Sequence, residues 1–215
     1  MELKQIYEYR FKGIEQKRRI ECWQCIAQWI MIQMEYPQKM LEVGAGRCEF
    51  INHCGAKERW ALDSEPGTKR YASDEVAVVI GKLQEADLRH EYFDAIFMSN
   101  FLEHLNSPEE ANEILGICFS LLKWGGRIGI LGPNFKYAYR EYFDCADHVL
   151  PFTHIGVGEH LAGLGFNNIK MIPKFLPFSF RSALPSYPVF VKLFLKLPLA
   201  WGILGKQFFI TARKG

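Results

Sequence analysis

The sequence lacks any strong excess of charge. Its 215 residues carry 26 Lys and Arg against 24 Asp and Glu, which gives a formal net charge of +2. Domains that bind nucleic acid usually concentrate basic residues, so this balance argues against a nucleic-acid partner. No internal repeat or low-complexity segment is present, and the hydrophobic fraction of 49% suffices for a sizeable core. We therefore expect a folded domain of ordinary size rather than a disordered chain.

Long apolar runs are missing as well. The first residues, MELKQIYEYRFKG, are charged throughout and do not predict a secretory signal. The most apolar stretch, VFVKLFLKLPLAWGILG, is too short for a spanning helix and is interrupted by Lys192, Lys196 and Pro198. These absences argue against a protein that is secreted or that spans a membrane.

Paired cysteines at regular spacing are also missing. The six cysteines are scattered, which is typical of a reducing cytosol, so the expected compartment is the cytoplasm. Cys22 and Cys25 form a C-W-Q-C motif, but the surrounding residues predict one amphipathic helix without further ligands. The pattern favours two half-buried helix cysteines over a metal site.

Short apolar strands alternate with helices along the chain. This alternation predicts a parallel sheet covered by helices on both faces. The predicted strands are KMLEV, RWALD, EVAVVIG, FDAIFMSN, RIGILGPN, NIKMIPKF and KQFFITARK. Because ligands of such sheets bind at the carboxyl ends of the strands, the polar residues there should converge on one crevice.

The helices have clear boundary signals. Residues 14 to 34 predict a helix that ends before Pro37, and GAGRCEFINHC predicts a turn that feeds a helix. The next helix begins at SPEE, where Ser107 caps and Glu110 completes a capping box. Two glycines, at 125 and 126, should end it. GVGEHLAGLGF predicts a further short helix.

The stretch VGAGRCEF follows the first strand and predicts a ligand-binding turn. A dinucleotide site needs G-x-G-x-x-G; here Gly44 and Gly46 fit, but Glu49 occupies the third position. A carboxylate there would repel a pyrophosphate, and Glu42 adds a second acid before the turn. This pattern favours a ligand with positive charge over NAD, while an ordinary strand-to-helix turn stays open as an alternative.

Asp63, in RWALDSEP, ends the second predicted strand. Its distance from the glycine turn is close to the ~20 residues expected of an acid that binds a ribose. A carboxylate can accept hydrogen bonds from both ribose hydroxyls. The alternative is a solvated turn aspartate.

Four segments stand in the order and spacing of class I S-adenosylmethionine-dependent methyltransferases: MLEVGAGRCEF, ALDSEP, FDAIFMSNFLEHL and LLKWGGRIGILGPN. The chain resembles this family over roughly residues 38 to 172. The resemblance implies a Rossmann-like, doubly wound α/β sheet of seven mostly parallel strands, with the last strand antiparallel. It also implies S-adenosyl-L-methionine as the cofactor.

The resemblance further implies site residues. Glu42, Gly44 and Gly46 would hold the amino-acid end of the cofactor, and Asp63 would hold its ribose. Asn100, just past the fourth strand, would line the side of the methyl donor.

The chain departs from the family pattern at two positions. Cys48 stands where the family often has a third glycine, and Lys82 stands where it usually has an acid that accepts from the adenine amino group. Lysine has no acceptor. Glu85 or Asp87 would have to replace it, or adenine is held by backbone and apolar contacts such as Leu83, or cofactor affinity is poor.

Two histidines are candidates for the acceptor side of the crevice. His104 follows the fourth strand, where it could be catalytic or could tie the loop to the next helix. His148 follows the fifth strand, with Asp144 or Asp147 placed to fix its tautomer. Other polar residues surround it: Tyr139, Tyr142 and Thr153. This cluster suits a polyhydroxylated acceptor, a polar surface loop is the alternative, and no metal is expected.

Residues 173 to 205 are unusual for a connection between the last two strands. They are apolar, aromatic and basic, and they contain no acid. Three interpretations compete: a lid or packed cap over the acceptor site, a dimer surface, or an interfacial helix at 187–205 on anionic lipid. The segment is similar to tails of bacterial methyltransferases encoded near surface-polysaccharide genes, which suggests a sugar or lipid-linked glycan acceptor.

The sequence therefore predicts one domain over 1–215. It divides into a helical region at 1–37, a cofactor-binding core at 38–172, a cap insertion at 173–205 and a last strand at 206–215. The predicted activity is methyl transfer to oxygen of a small molecule, a sugar or a lipid-linked glycan, with peripheral contact at the inner membrane face and a homodimer left open. The alternatives are a non-catalytic cofactor-binding protein of the same fold and an NAD-dependent oxidoreductase.

Overall fold

A computed structural model describes residues 3–10, 12–13, 15–178 and 187–215 of the chain. Two helices come first, α1 (Leu3–Arg10) and α2 (Gln16–Gln33). The strands are β1 (Lys39–Val43), β2 (Glu58–Asp63), β3 (Val76–Ile80), β4 (Phe93–Ser99), β5 (Leu122–Pro133), β6 (Phe166–Ile172) and β7 (Gln207–Lys214). The remaining helices are α3 (Pro108–Leu121), α4 (Phe135–Ala138), α5 (His154–Gly163), α6 (Pro188–Leu195) and α7 (Pro198–Leu204).

The seven strands form a single sheet in the order β3-β2-β1-β4-β5-β7-β6. The neighbours from β3 to β5 pair in parallel, whereas β7 runs antiparallel to both β5 and β6. This confirms the predicted Rossmann-like sheet with an antiparallel last strand. The order reverses at β1 and β4, and in such sheets the crevice beyond this switch point is where ligands bind.

Helices cover both faces of the sheet, so its central strands are apolar on both sides. On one face α3 and α5 bury their apolar stripes, which in α3 include Ile114, Leu115 and Cys118. On the other face α2 packs through Ile26, Ile30 and other residues against the sheet. The structure therefore has a core on each face, as expected of a three-layer α/β domain.

The predicted helix start at Ser107 is confirmed, but the capping box and the end of the helix differ from the prediction. Ser107 Oγ accepts from the Glu110 N–H at 3.1 Å, whereas the Glu110 carboxylate accepts from the Asn106 N–H at 2.7 Å instead of closing a capping box on Ser107. The helix ends at Leu121, not at the glycines, because the chain turns directly into β5 there. Gly125, at a φ of +78°, lies within that strand and accepts a hydrogen bond from Arg213.

The helix predicted directly after the glycine turn does not form. Residues 47–53 make successive turns instead, in which Cys48 N–H donates to the Ala45 carbonyl at 2.7 Å. Cys48 itself has a φ of +55°, which is uncommon for a residue with a Cβ and continues the left-handed turn of Gly44 and Gly46. The periodicity of the apolar residues in this segment reflects burial of Cys48, Phe50 and Ile51 rather than a regular helix.

The cap insertion packs against α2, and its first residues also contact the ends of β5 and β7 through Asn134 and Gln207. Trp29 of α2 stacks on Phe175 with ring centroids 4.3 Å apart, and Trp201 of α7 meets both rings edge-on. Its residues 179–186, which fall in the predicted lid, lie outside the described residues. Of the described part, Phe178 approaches the predicted acceptor site, with its ring centroid 6.2 Å from that of His148. Among the described residues, no helix has the length and apolar character to cross a membrane.

Candidate functional site

The glycine turn lies at the carboxyl end of β1, where the sequence predicts it. Gly44 and Gly46 have φ angles of +69° and +51°, in the left-handed region that favours glycine. A Cβ on Gly44 would lie 2.5 Å from the ring of Phe101, whereas a Cβ on Gly46 would meet no atom within 4 Å. The ring of Phe101 therefore closes one side of the turn, and the backbone of Gly46 faces open space that a ligand can fill.

Asp63 lies directly beside this turn. Its Oδ2 accepts from the Gly46 N–H at 2.7 Å, and its Oδ1 accepts from the Glu65 N–H at 2.8 Å. Both carboxylate oxygens keep a lone pair for a further donor. The two backbone contacts fix the orientation of the carboxylate at the strand end, as a ribose-binding acid requires.

The two other acids near the turn differ in burial and in partners: Glu42 is buried, whereas Glu49 is half-buried. Glu42 accepts from the Ile51 N–H at 3.1 Å, and burial raises the pKa of its carboxyl well above the usual range. Glu49 forms a two-point ion pair with Arg19 of α2, at 2.6 and 2.7 Å. Burial raises the pKa of Glu49, against the effect of the Arg19 charge. Arg19 compensates the negative charge of Glu49, so the charge argument against a pyrophosphate is weaker than the sequence suggested.

The adenine side of the crevice follows β3. Lys82 is exposed at the strand end and precedes a short 3-10 helix, Leu83–Glu85, whose first side chain is buried. Glu85 and Asp87 are exposed nearby in sequence. Their part in adenine binding, like that of Leu83, stays a prediction.

We expect that replacing Lys82 with aspartate will tighten cofactor binding. The variant would place a carboxylate acceptor at the end of β3, where the exocyclic amino group of an adenine can donate to it. A hydrogen bond to a charged acceptor contributes about 1.5 kcal/mol or more, so affinity for S-adenosylhomocysteine should rise about tenfold in calorimetry. Lys57→Asp makes the same charge change before β2, at the opposite end of the strands, and should leave affinity unchanged. Equal affinities in the two variants would show that adenine does not reach position 82.

Asn100 follows β4 in a left-handed conformation, with a φ of +49°. Its N–H donates to the Leu131 carbonyl at 2.8 Å, and its exposed side chain donates to Ser99 Oγ at 3.0 Å. The residue therefore lies between the ends of β4 and β5, next to Phe101. Its contact with the methyl donor stays a prediction.

His104 and His148 come together beyond the ends of β4 and β5. Their ring centroids are 5.2 Å apart, and the ring of Tyr142 lies 4.9 Å from that of His148. Burial lowers the pKa of His148 to about 4, and the neighbouring His104 contributes to the shift, so His148 is neutral at neutral pH. Its buried Nδ1 has no hydrogen-bond partner among the described residues.

Asp147 lies against the ring of His104, whereas the sequence predicted that an aspartate would orient His148. His104 Nδ1 lies 2.8 Å from the Asp147 carbonyl oxygen and 3.6 Å from its Oδ2. Asp147 also pairs with Arg10 of α1, from the other end of the sequence. Burial opposes the shift, but Arg10 and His104 hold the pKa of Asp147 below its usual range. Asp144 is exposed, and no hydrogen bond joins it to His148 within the described part of the chain.

Glu103 is a site residue that the sequence did not single out. Its side chain is 2% exposed, and burial raises the pKa of its carboxyl to about 7. Its carbonyl accepts from the Val149 and Leu150 N–H groups at 2.7 and 3.1 Å, which ties the end of β4 to the loop after β5. The adjacent Glu103 and His104 can be recognised in the sequence as a Glu-His motif, but the burial of Glu103 follows only from the tertiary structure.

Comparison with known proteins agrees with this geometry. Residues 41–130 match the family model of a methyltransferase domain. Comparison with curated protein sequences finds no match. An S-adenosylmethionine-dependent methyltransferase from Archaeoglobus fulgidus is similar in structure, with a TM-score of 0.72 and 21% identity over 97% of this chain and 98% of that one.

Two further solved structures have the same fold. A methyltransferase from Thermotoga maritima aligns with a TM-score of 0.70 and 15% identity over 98% of this chain and 99% of that one. A phosphoethanolamine N-methyltransferase from Haemonchus contortus, in complex with phosphomonomethylethanolamine and S-adenosylhomocysteine, aligns with a TM-score of 0.57 and 15% identity. This alignment covers 87% of this chain and 52% of that one. At these identities the likeness shows the fold. With the matched domain and the open glycine turn, it supports methyl transfer with S-adenosylmethionine as the cofactor.

Proposed function

We propose that this S-adenosylmethionine-dependent methyltransferase methylates a hydroxyl oxygen of a sugar or lipid-linked glycan. The observation that carries the proposal is the arrangement of His104 against Asp147. A backbone carbonyl can only accept, so His104 Nδ1 carries the proton in that 2.8 Å contact, and Nε2 keeps a lone pair. Such a nitrogen can take a proton from an acceptor hydroxyl.

The cofactor supplies an activated methyl group, so the residues of this chain have two tasks. They position the acceptor oxygen in line with the methyl carbon, and they remove the hydroxyl proton as the oxygen attacks. We assign the second task to His104, and the Asp147 carboxylate, 3.6 Å from Nδ1, would stabilise the imidazolium that forms. Glu42, Gly44, Gly46 and Asp63 would hold the cofactor.

His148 and Asp144 keep other roles in this proposal. His148 is neutral and half-buried, and with the half-buried Phe178 it forms an aromatic wall beside His104, which packs on the fully buried ring of Tyr142. Apolar ring faces of this kind suit the faces of a bound sugar, while the exposed Asp144 and Tyr139 can bind its hydroxyls. The catalytic role predicted for His148 is thus shifted to orientation of the acceptor.

The lipid-linked class of acceptor is supported by the surface of α6 and α7. These helices bury Leu195 and Trp201 against the α2 side and expose large apolar residues to solvent. The exposed set includes Val189 at 66%, Leu193 at 55%, Leu199 at 88% and Ile203 at 81%. Lys192 and Lys196 are exposed among them, and residues 173–205 contain no acid. An apolar face with basic residues and no acid is complementary to an anionic lipid surface.

We expect the protein to bind vesicles that contain phosphatidylglycerol and to bind neutral phosphatidylcholine vesicles less. Each lysine near an anionic surface contributes about 1 kcal/mol, so Lys192→Glu/Lys196→Glu should reduce binding at least tenfold in flotation assays, and added salt should act in the same direction. Leu199→Glu/Ile203→Glu should reduce binding to both vesicle types. Lys17→Glu/Lys57→Glu, at exposed positions outside the insertion, is the matched control. Absence of vesicle binding together with a dimeric mass would instead make this face a subunit contact.

The acceptor class is tested with methyl-labelled cofactor. The protein is incubated with an aqueous and an organic-solvent extract of the source cells, and the label should enter the organic fraction. A methyl ether survives mild alkali, whereas a methyl ester does not, so alkali-stable label excludes an ester. Loss of that label on treatment with boron tribromide, which cleaves methyl ethers and leaves methyl groups on nitrogen and carbon in place, then identifies a hydroxyl acceptor. Label on nitrogen, on protein or only in water-soluble products would overturn the proposal.

A further inference from the structure

Three side chains of the acceptor site lie in an arrangement that suits a metal ion. Glu103, His104 and His148 each offer one ligand atom, and these atoms lie within 4.8 Å of one another. A tetrahedral ion with bonds of about 2.1 Å spaces its ligand atoms roughly 3.4 Å apart. Side-chain movements of about an ångström would therefore close the three ligands around an ion.

The same three residues contain polar atoms without a partner. Glu103 Oε1 and His148 Nδ1 are buried and make no hydrogen bond with any described residue. The Glu103 side chain is more than nine-tenths buried, so water cannot readily replace the missing partner. Leaving such groups unpaired costs free energy, and a bound cation would pair both.

The surroundings add orientation and charge. His104 donates from Nδ1 to the Asp147 carbonyl, so its Nε2 is the atom left for an ion, which is the usual outer-shell arrangement of a metal-binding histidine. Within the described part of the chain, Arg10 pairs with Asp147, and the Glu103 carboxylate forms no ion pair. The local charge therefore favours a cation.

We propose that Glu103, His104 and His148 bind a divalent transition-metal ion, which holds and activates the oxygen of the methyl acceptor. Two imidazoles and one carboxylate suit ions such as Zn²⁺ and Mn²⁺, and three protein ligands leave a coordination position open. The assignment of an acceptor oxygen to that position rests on the proposed function; the metal site itself does not.

In the metal-bound site His104 Nε2 is a ligand, so the ion takes over activation of the hydroxyl, and the general-base role of His104 applies to the metal-free protein alone. A hydroxyl bound to a divalent cation is more acidic and loses its proton to solvent. The acceptor oxygen then forms a bond to the methyl carbon while the carbon–sulfur bond breaks, and the bonding pair stays on sulfur. The products are the methyl ether and neutral S-adenosylhomocysteine.

Mn²⁺ is the probe, because its preference for oxygen and nitrogen ligands avoids the thiols of Cys22 and Cys25. The full chain is stripped with chelator and titrated, and electron paramagnetic resonance measures free Mn²⁺. We expect binding of one ion per chain, weakened roughly 10- to 100-fold or more in Glu103→Gln and in His148→Gln. His90→Gln, at an exposed histidine outside the cluster, should bind as the wild type does.

Binding of S-adenosylhomocysteine and the circular dichroism spectrum show that each variant is folded. If Glu103→Gln does not fold, His148→Gln alone decides. No Mn²⁺ binding to the wild type at millimolar concentration, or equal affinity in wild type and His148→Gln, would overturn the site. Mn²⁺ binding together with label on a nitrogen acceptor would keep the site and refute the proposed function.

Discussion

Replacing Gly46 with valine should abolish cofactor binding while the protein stays folded. Gly46 has a φ of +51°, and a Cβ there would point into open space at the carboxyl end of β1. A branched side chain would fill the volume that the cofactor needs, so the affinity for S-adenosylhomocysteine should fall at least a hundredfold, or about 2.8 kcal/mol, in calorimetry. The left-handed backbone should also cost roughly 1 to 2 kcal/mol of stability.

Gly55 provides a matched control for this variant. It has a φ of +73° and is exposed, and a Cβ at this position would meet no atom within 4 Å, but it precedes β2 at the opposite end of the strands. Gly55→Val should show a comparable loss of stability in urea unfolding and normal cofactor affinity. Normal affinity in both variants would mean that the turn at Gly46 does not approach the cofactor.

Replacing Asp63 with alanine should weaken cofactor binding by about 1.5 to 3 kcal/mol, which is roughly a 10- to 150-fold change in affinity. The carboxylate is held by the Gly46 and Glu65 N–H groups at 2.7 and 2.8 Å, so it is already oriented for the two ribose hydroxyls. The Gly46 and Glu65 N–H groups are accessible to solvent. Water can therefore replace the carboxylate in the variant, and the fold should survive.

Asp63→Asn separates the two roles of this carboxylate. Its amide oxygen can still accept from Gly46, while the charge and one acceptor are lost, so an intermediate affinity is expected. Asp74→Ala, at an exposed turn before β3, is the control for removal of a surface aspartate. A folded Asp63→Ala protein with unchanged affinity would remove Asp63 from the cofactor site.

The sequence determined the order of strands along the chain and the place of the glycine turn. Strand segments, the capped start of α3 and the two glycines are set by local patterns: apolar periodicity, a side-chain cap and the need for positive φ. These act within a few residues, so they can be read without the fold. The same local rules failed at residues 47–53, where apolar side chains are buried without forming a regular helix. They also failed at Gly125 and Gly126, because the helix already ends at Leu121, where the chain turns into β5.

Only the tertiary structure decided which side chains meet at the predicted acceptor site. Arg10 reaches Asp147 across 137 positions of sequence, and Arg19 of α2 compensates Glu49 in the turn after β1. Glu103 and His104 join His148 because β4 and β5 are neighbours in parallel, which brings the loops at their carboxyl ends together. Such contacts depend on strand order and on burial, and neither quantity is contained in the spacing of residues along the chain.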